Sequence, residues 1–140
     1  MAGRSHLTRV AAALGLSLLL VGCGYVNGED PSELVSALRT SPAFKVSPPG
    51  ASPKGEVDAG ADSGSAYAQQ AFEGCGPRPA VIDFYAATLD DLGWRYEPGP
   101  GFWLGTVKGK RAELYLPSGD VPPDCSIEIF VEYDTGLLGG

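Results

Sequence analysis

The chain's second half alternates apolar and polar residues, and this constrains its fold more than any other feature. In Arg111–Leu116, the residues Ala112, Leu114 and Leu116 alternate with Arg111, Glu113 and Tyr115. In Ser126–Asp134, Ile127, Ile129, Val131 and Tyr133 alternate with Glu128, Phe130 and Glu132. Successive side chains of a strand point to opposite faces, so each segment has one dry and one wet face, the pattern of an antiparallel sheet open to water on one side. Phe102–Val107 reads as the strand before them, with Lys108-Gly109-Lys110 as the hairpin tip. Trp94–Glu97 reads as a short strand, turned by Pro98-Gly99-Pro100-Gly101, and Pro117–Asp124 as a loop. Pairing Leu116 with Ile127 sets Arg111 opposite Glu132, Glu113 opposite Phe130 and Tyr115 opposite Glu128.

One helix is expected to cover the dry face. Val81, Phe84, Tyr85, Thr88, Leu89 and Leu92 recur at helical spacing, with Pro79 in the first turn and Asp83, Ala87, Asp90 and Asp91 on the wet side. Gly93 stands where a left-handed C′ residue ends a helix, and Trp94 follows at C″, placed to pack back on Leu89. Ala66–Phe72 has room for one further strand, and Glu73-Gly74-Cys75-Gly76-Pro77 is a turn. The fold class expected is α+β: one amphipathic helix packed on an antiparallel sheet of about three to five strands, preceded by a signal peptide and a flexible tether.

Residues 24–65 are rich in Gly, Ser, Pro, Ala and Asp, with breakers at Pro48-Pro49-Gly50 and Gly60–Ser65, and read as tether. Within it, Asp30 is a good N-cap, Pro31 suits the first helical position, Leu34, Val35 and Leu38 fall at helical spacing, and Pro42 ends the segment. Lys54–Ala59 has room for a short edge strand. The organisation expected is signal peptide at 1–22, lipidated N-terminus and tether at 23–65, and a small α+β domain at 66–140.

Arg4 and Arg9 precede a stretch without charge from Val10 to Val21. That stretch is shorter than the roughly 20 residues a membrane-spanning helix needs, and it fits a secretory signal. Leu20-Val21-Gly22-Cys23 closes it and resembles the lipobox of bacterial prolipoproteins. The resemblance implies cleavage after Gly22, a diacylglyceryl group and acyl chains such as palmitate on Cys23, and a place on the extracytoplasmic face of the cell membrane. Ordinary secretion, with Cys23 incidental, is the alternative. The stretch Phe84-Tyr85, Leu89, Gly93-Trp94 resembles a pattern in small actinobacterial lipoproteins, a helix ending in Leu and Gly-Trp followed by strands. It implies the same fold and membrane context and carries no catalytic residue over. The abundance of Ala, Gly, Pro, Val and Asp is the bias of a GC-rich, actinobacterium-like host.

With residues 1–22 removed, Arg4 and Arg9 go, leaving eight basic residues against seventeen acidic ones. Such a surface argues against nucleic acid as a partner and against a second, electrostatic contact with the membrane. His6 is the single histidine and falls in the signal, so the mature chain has no imidazole base and no histidine ligand for a metal. With Cys23 lipidated, Cys75 and Cys125 remain as an even pair in an oxidising compartment and are expected to form a disulfide.

The acids Asp83, Asp90 and Asp91 on the helix, and Glu113, Glu128 and Glu132 on the sheet, are candidates for acid–base work on a sugar, but they belong to exposed faces. Asp58, Gly60 and Asp62 lack the pattern of a calcium loop, and no cofactor or metal is expected. Trp94, Tyr96, Phe102 and Trp103 surround the Pro-Gly-Pro-Gly turn and suit a core better than a stacking site. Tyr115 and Phe130 become diagonal neighbours on a face that should be wet, a candidate contact surface. The function expected is a non-enzymatic lipoprotein that contacts an envelope protein or ligand through its sheet face. The alternatives are a purely structural envelope module and a carboxylate-dependent cell-wall hydrolase. Replacing Cys23 by Ser should abolish incorporation of a fatty-acid probe and release the protein from membranes; equal labelling of the variant would sink the lipobox assignment.

Overall fold

A computed structural model describes residues 30–98 and 101–133. Its elements run α1 (Pro31–Arg39), a 3-10 turn (Pro42–Lys45), β1 (Ser52–Asp62), β2 (Ser65–Glu73), α2 (Arg78–Leu89), a second 3-10 turn (Asp90–Leu92), β3 (Arg95–Tyr96), β4 (Phe102–Val107), β5 (Lys110–Tyr115) and β6 (Cys125–Glu132). The six strands form one antiparallel sheet in the order β1-β2-β6-β5-β4-β3. Strands β3 to β6 are a meander, and β6 closes it against β2, a strand from before α2. The expected signal peptide, the expected lipobox with Cys23, Gly99-Pro100 and the residues from Asp134 on lie outside the described residues.

The expectation of one helix on three to five strands is therefore corrected to two short helices and six strands. The correction falls on the segment read as tether. α1 begins as its capping residues dictate: Asp30 Oδ1 accepts from the Ser32 amide at 2.9 Å, and Pro31 opens the helix. That amide hydrogen bond also holds the Asp30 carboxyl below the usual carboxylate range. Leu34 and Leu38 are buried, and Ala43 and Phe44 of the following 3-10 turn join them in the core. β1 is mostly exposed and pairs on one side only, with β2. An edge strand of this kind gains its structure from a partner's backbone, so its Gly-, Ala- and Asp-rich composition need not carry a hydrophobic pattern. β1 also departs from a plain ladder between Lys54 and Asp58, where Gln70, buried on β2, donates to the Gly55 carbonyl at 3.2 Å.

The core lies on one face of the sheet. Ala66, Ala68 and Phe72 of β2, Ile127, Ile129 and Val131 of β6, Ala112 and Leu114 of β5 and Trp103 of β4 are fully buried. Leu34 and Leu38 of α1 and Val81, Tyr85 and Leu89 of α2 belong to the same cluster. Tyr85 and Trp103 meet edge to face with ring centroids 6.4 Å apart. Burial pushes the ionisation of the Tyr85 hydroxyl upward, because a phenolate there would lose its hydration. Arg78, at the start of α2, donates to the carbonyls of Leu116 and Pro117 at 2.9 Å each, tying the helix to the end of β5.

α2 ends in the Schellman motif that the Gly-Trp pair predicts. Gly93 has φ 89°, its amide bonds to Asp90 and the Trp94 amide bonds to Leu89 at 2.9 Å. The tightening of Asp90–Leu92 to 3-10 geometry turns Leu92 off the apolar stripe, so it is 38% exposed where the helical spacing would bury it.

The disulfide between Cys75 and Cys125 is present, with Cα atoms 6.0 Å apart. It joins the turn after β2 to the first residue of β6, which is itself paired with Phe72. In the chain-entropy picture a closed loop of this length contributes on the order of 4 kcal/mol. Leu89→Ala should cost about 2–5 kcal/mol by leaving a cavity under α2, whereas Leu92→Ala should stay within about 0.5 kcal/mol. Denaturant melts of the two variants check this, and equal losses would mean that the stripe runs to the end of the helix.

Candidate functional site

With both helices packed on one face, the opposite face of the sheet has no described helix over it. Its side chains are set by register. Ala112 pairs with Val131, Glu113 with Phe130, Leu114 with Ile129 and Tyr115 with Glu128, the register that the Leu116–Ile127 pairing predicts. Tyr115 and Phe130 are therefore diagonal neighbours, both half-buried.

Two more aromatic residues extend the pair. Tyr67 on β2 is directly opposite Phe130 on β6, and Phe102 on β4 is directly opposite Tyr115 on β5. Tyr67, Phe130, Tyr115 and Phe102 thus form a diagonal stripe across four adjacent strands, each residue half-buried. Cross-strand aromatic pairs contribute roughly 0.2–1 kcal/mol each relative to alanine. At the β1 end the Tyr67 ring lies against Gly60, its register partner, so closely that a Cβ there would come within 2.9 Å of the hydroxyl. A glycine is what lets the ring lie down over the edge strand.

Sequence reading missed Tyr67 and misplaced Phe102. Tyr67 joins the stripe only because β2 pairs with β6, a contact between segments on either side of α2. By sequence, Phe102 groups with the aromatics of the turn. The structure separates that group: Trp94 and Trp103 are core, Phe102 belongs to the open face, and Tyr96 is 44% exposed yet packs edge-on against Trp103 with centroids 5.2 Å apart. The alternation Trp103 in, Phe102 out was the available signal.

Polar groups flank the stripe. Arg111, Glu113, Phe130 and Glu132 line a hollow of about 370 Å³. A shallower hollow of about 540 Å³ next to it is lined in part by Arg95, Glu97, Leu104, Thr106 and the same Arg111. Arg95 is paired with Glu97 at 2.7 Å, whereas Arg111 forms no ion pair with a described residue. The Tyr115 hydroxyl is pushed up to about 12, first by burial and then by its hydrogen bond to Glu128 and the negative charges of Glu128 and Glu113. Asp83, Asp90 and Asp91 are exposed on α2 and its 3-10 extension, away from any hollow described. Asp58, Gly60 and Asp62 lie along β1 rather than in a loop.

The open face offers aromatic rings, carboxylates and the guanidinium groups of Arg95 and Arg111 on a broad surface. No family model, curated protein or solved structure matches this chain.

Raising pH should ionise Tyr115 late. Its folded value of about 12 lies above the ordinary 10.0, so the neutral hydroxyl stabilises the fold below pH 10 and that contribution is lost as pH climbs towards 12. Tyr115→Phe should therefore lose less stability than wild type across that window. Thermal melts from pH 9 to pH 12 test it, and parallel curves for the two proteins would contradict it.

Proposed function

We propose that the protein is a lipid-anchored, non-enzymatic binding module on the extracytoplasmic face of the cell membrane, and that it contacts an envelope protein through the open face of its sheet. The observation that carries this reading is the four-residue aromatic stripe on that face. Half-buried aromatic side chains in a contiguous row on an otherwise solvated surface mark contact sites more often than scattered ones do. The lipobox resemblance supports the anchor, and a diacylated or triacylated cysteine holds a protein at a bilayer durably where one chain does not.

Together these features bound the reach of the module. The first described element is capped by Asp30, seven residues beyond Cys23. Seven residues span at most about 25 Å when fully extended. A protein anchored at Cys23 therefore works close to the membrane surface, and its partner is one that presents a surface there. A purely structural envelope module remains the competing reading.

The double substitution Tyr115→Ala/Phe130→Ala separates the two. Both residues are on the face away from the core, so the variant should fold, keep its disulfide and stay with membranes while losing its crosslinked partner by at least about tenfold, the scale of one or two hot-spot side chains. Melting curves and in-membrane crosslinking on the same samples provide the readouts. A folded variant that keeps the wild-type crosslinks would favour the structural module.

A further inference from the structure

The charge around the stripe identifies what kind of surface it fits. Phe130 is flanked along β6 by Glu128 and Glu132, and Glu113 is directly opposite it on β5. Side chains opposite one another on one face have Cβ atoms about 4.5–5.5 Å apart, and residues two apart on a strand share that face. The face of a phenyl ring carries the negative lobe of its quadrupole and attracts cations. Ring and carboxylates thus present one sign of potential to whatever enters the hollow of about 370 Å³ lined by Arg111, Glu113, Phe130 and Glu132. Arg111 is the cation at that hollow, and it is not tied to any described carboxylate.

We propose that the open face receives a lysine- or arginine-bearing segment of its protein partner, with one cationic side chain over the Phe130 ring and among Glu113, Glu128 and Glu132. The proposal rests on the reading of this face as the partner surface. A second copy of the chain is a poor occupant, because with eight basic residues against seventeen acidic ones after removal of residues 1–22 it is repelled. An anionic lipid headgroup meets the same carboxylates and is repelled as well. Arg111 acts as the resident competitor: it shares the hollow and must be displaced or pushed aside when a second cation enters.

The test uses the full exported chain in zwitterionic micelles, isotopically labelled, titrated with a lysine decapeptide and separately with a glutamate decapeptide. The lysine peptide should shift the amides of Glu113, Tyr115, Glu128 and Phe130, weaken by about tenfold between about 50 and 300 mM salt, and leave α2 unmoved. The glutamate peptide should shift nothing. Glu113→Gln/Glu128→Gln/Glu132→Gln should lose binding at least tenfold. Phe130→Leu, which keeps an apolar side chain but removes the ring, should weaken it roughly three- to fivefold. Arg111→Gln should tighten it.

Shifts that spread equally to Asp83, Asp90 and Asp91, or binding unchanged in the triple glutamine variant, would overturn the proposal. If Tyr115→Ala/Phe130→Ala loses its envelope crosslinks but the lysine peptide does not bind wild type, the cationic occupant is wrong and the partner surface stands. If the crosslinks survive that double substitution, the partner surface falls and this proposal falls with it.

Discussion

Everything else in the fold depends on the pairing of β2 with β6. It runs from Ser65 opposite Glu132 to Phe72 opposite Cys125 and joins two pieces of chain separated by α2 and three strands. Without it there are two incomplete units: a hairpin with a short helix, and a meander whose last strand has a bare edge. The hairpin depends on it most, because a two-stranded hairpin is marginal in water on its own. With it, Ala66, Ala68 and Phe72 meet Ile127, Ile129 and Val131, and both helices have one continuous floor. The Cys75–Cys125 bond sits at one end of this pairing and holds in the unfolded chain the contact that costs most entropy to find.

The same pairing creates the candidate site. β6 brings Phe130 between Tyr67 on one side and the Tyr115–Phe102 pair on the other, so the stripe is a property of the assembled sheet and of no single strand. The two faces then divide the work. The buried face holds Trp103, Tyr85, Phe72 and Leu89 and accounts for stability. The open face keeps large aromatic groups partly in water, flanked by Glu113, Glu128, Glu132 and Arg111, and does less for stability than the same residues would in a core. The close fit of Tyr67 over Gly60 shows the open face shaping even the edge strand.

Much of this was legible residue by residue. Alternation in Arg111–Leu116 and Ser126–Asp134 specified the faces and, with one assumed pair, the β5–β6 register, because a one-residue slip would have turned every apolar side chain to water. Gly93-Trp94 specified the end of α2, because a left-handed C′ position favours glycine. Asp30-Pro31 specified the start of α1, because cap and first-turn preferences are local. The cysteine count specified the disulfide once Cys23 was set aside.

What only the tertiary structure decided is of a different physical kind. That the edge strand expected at Lys54–Ala59 extends over Ser52–Asp62, and that residues 30–65 pack as part of the domain rather than as a tether, depends on a neighbour's free backbone groups and not on the segment's own hydrophobicity. That Tyr67 joins Phe130 depends on a long-range pairing that no local pattern encodes. That Leu92 leaves the apolar stripe depends on how tightly the last turn winds. Caps, turns and alternation act within a few residues, so sequence determines them; edge pairing and the meeting of distant strands are decided by which surfaces remain to be satisfied once the rest of the chain has packed.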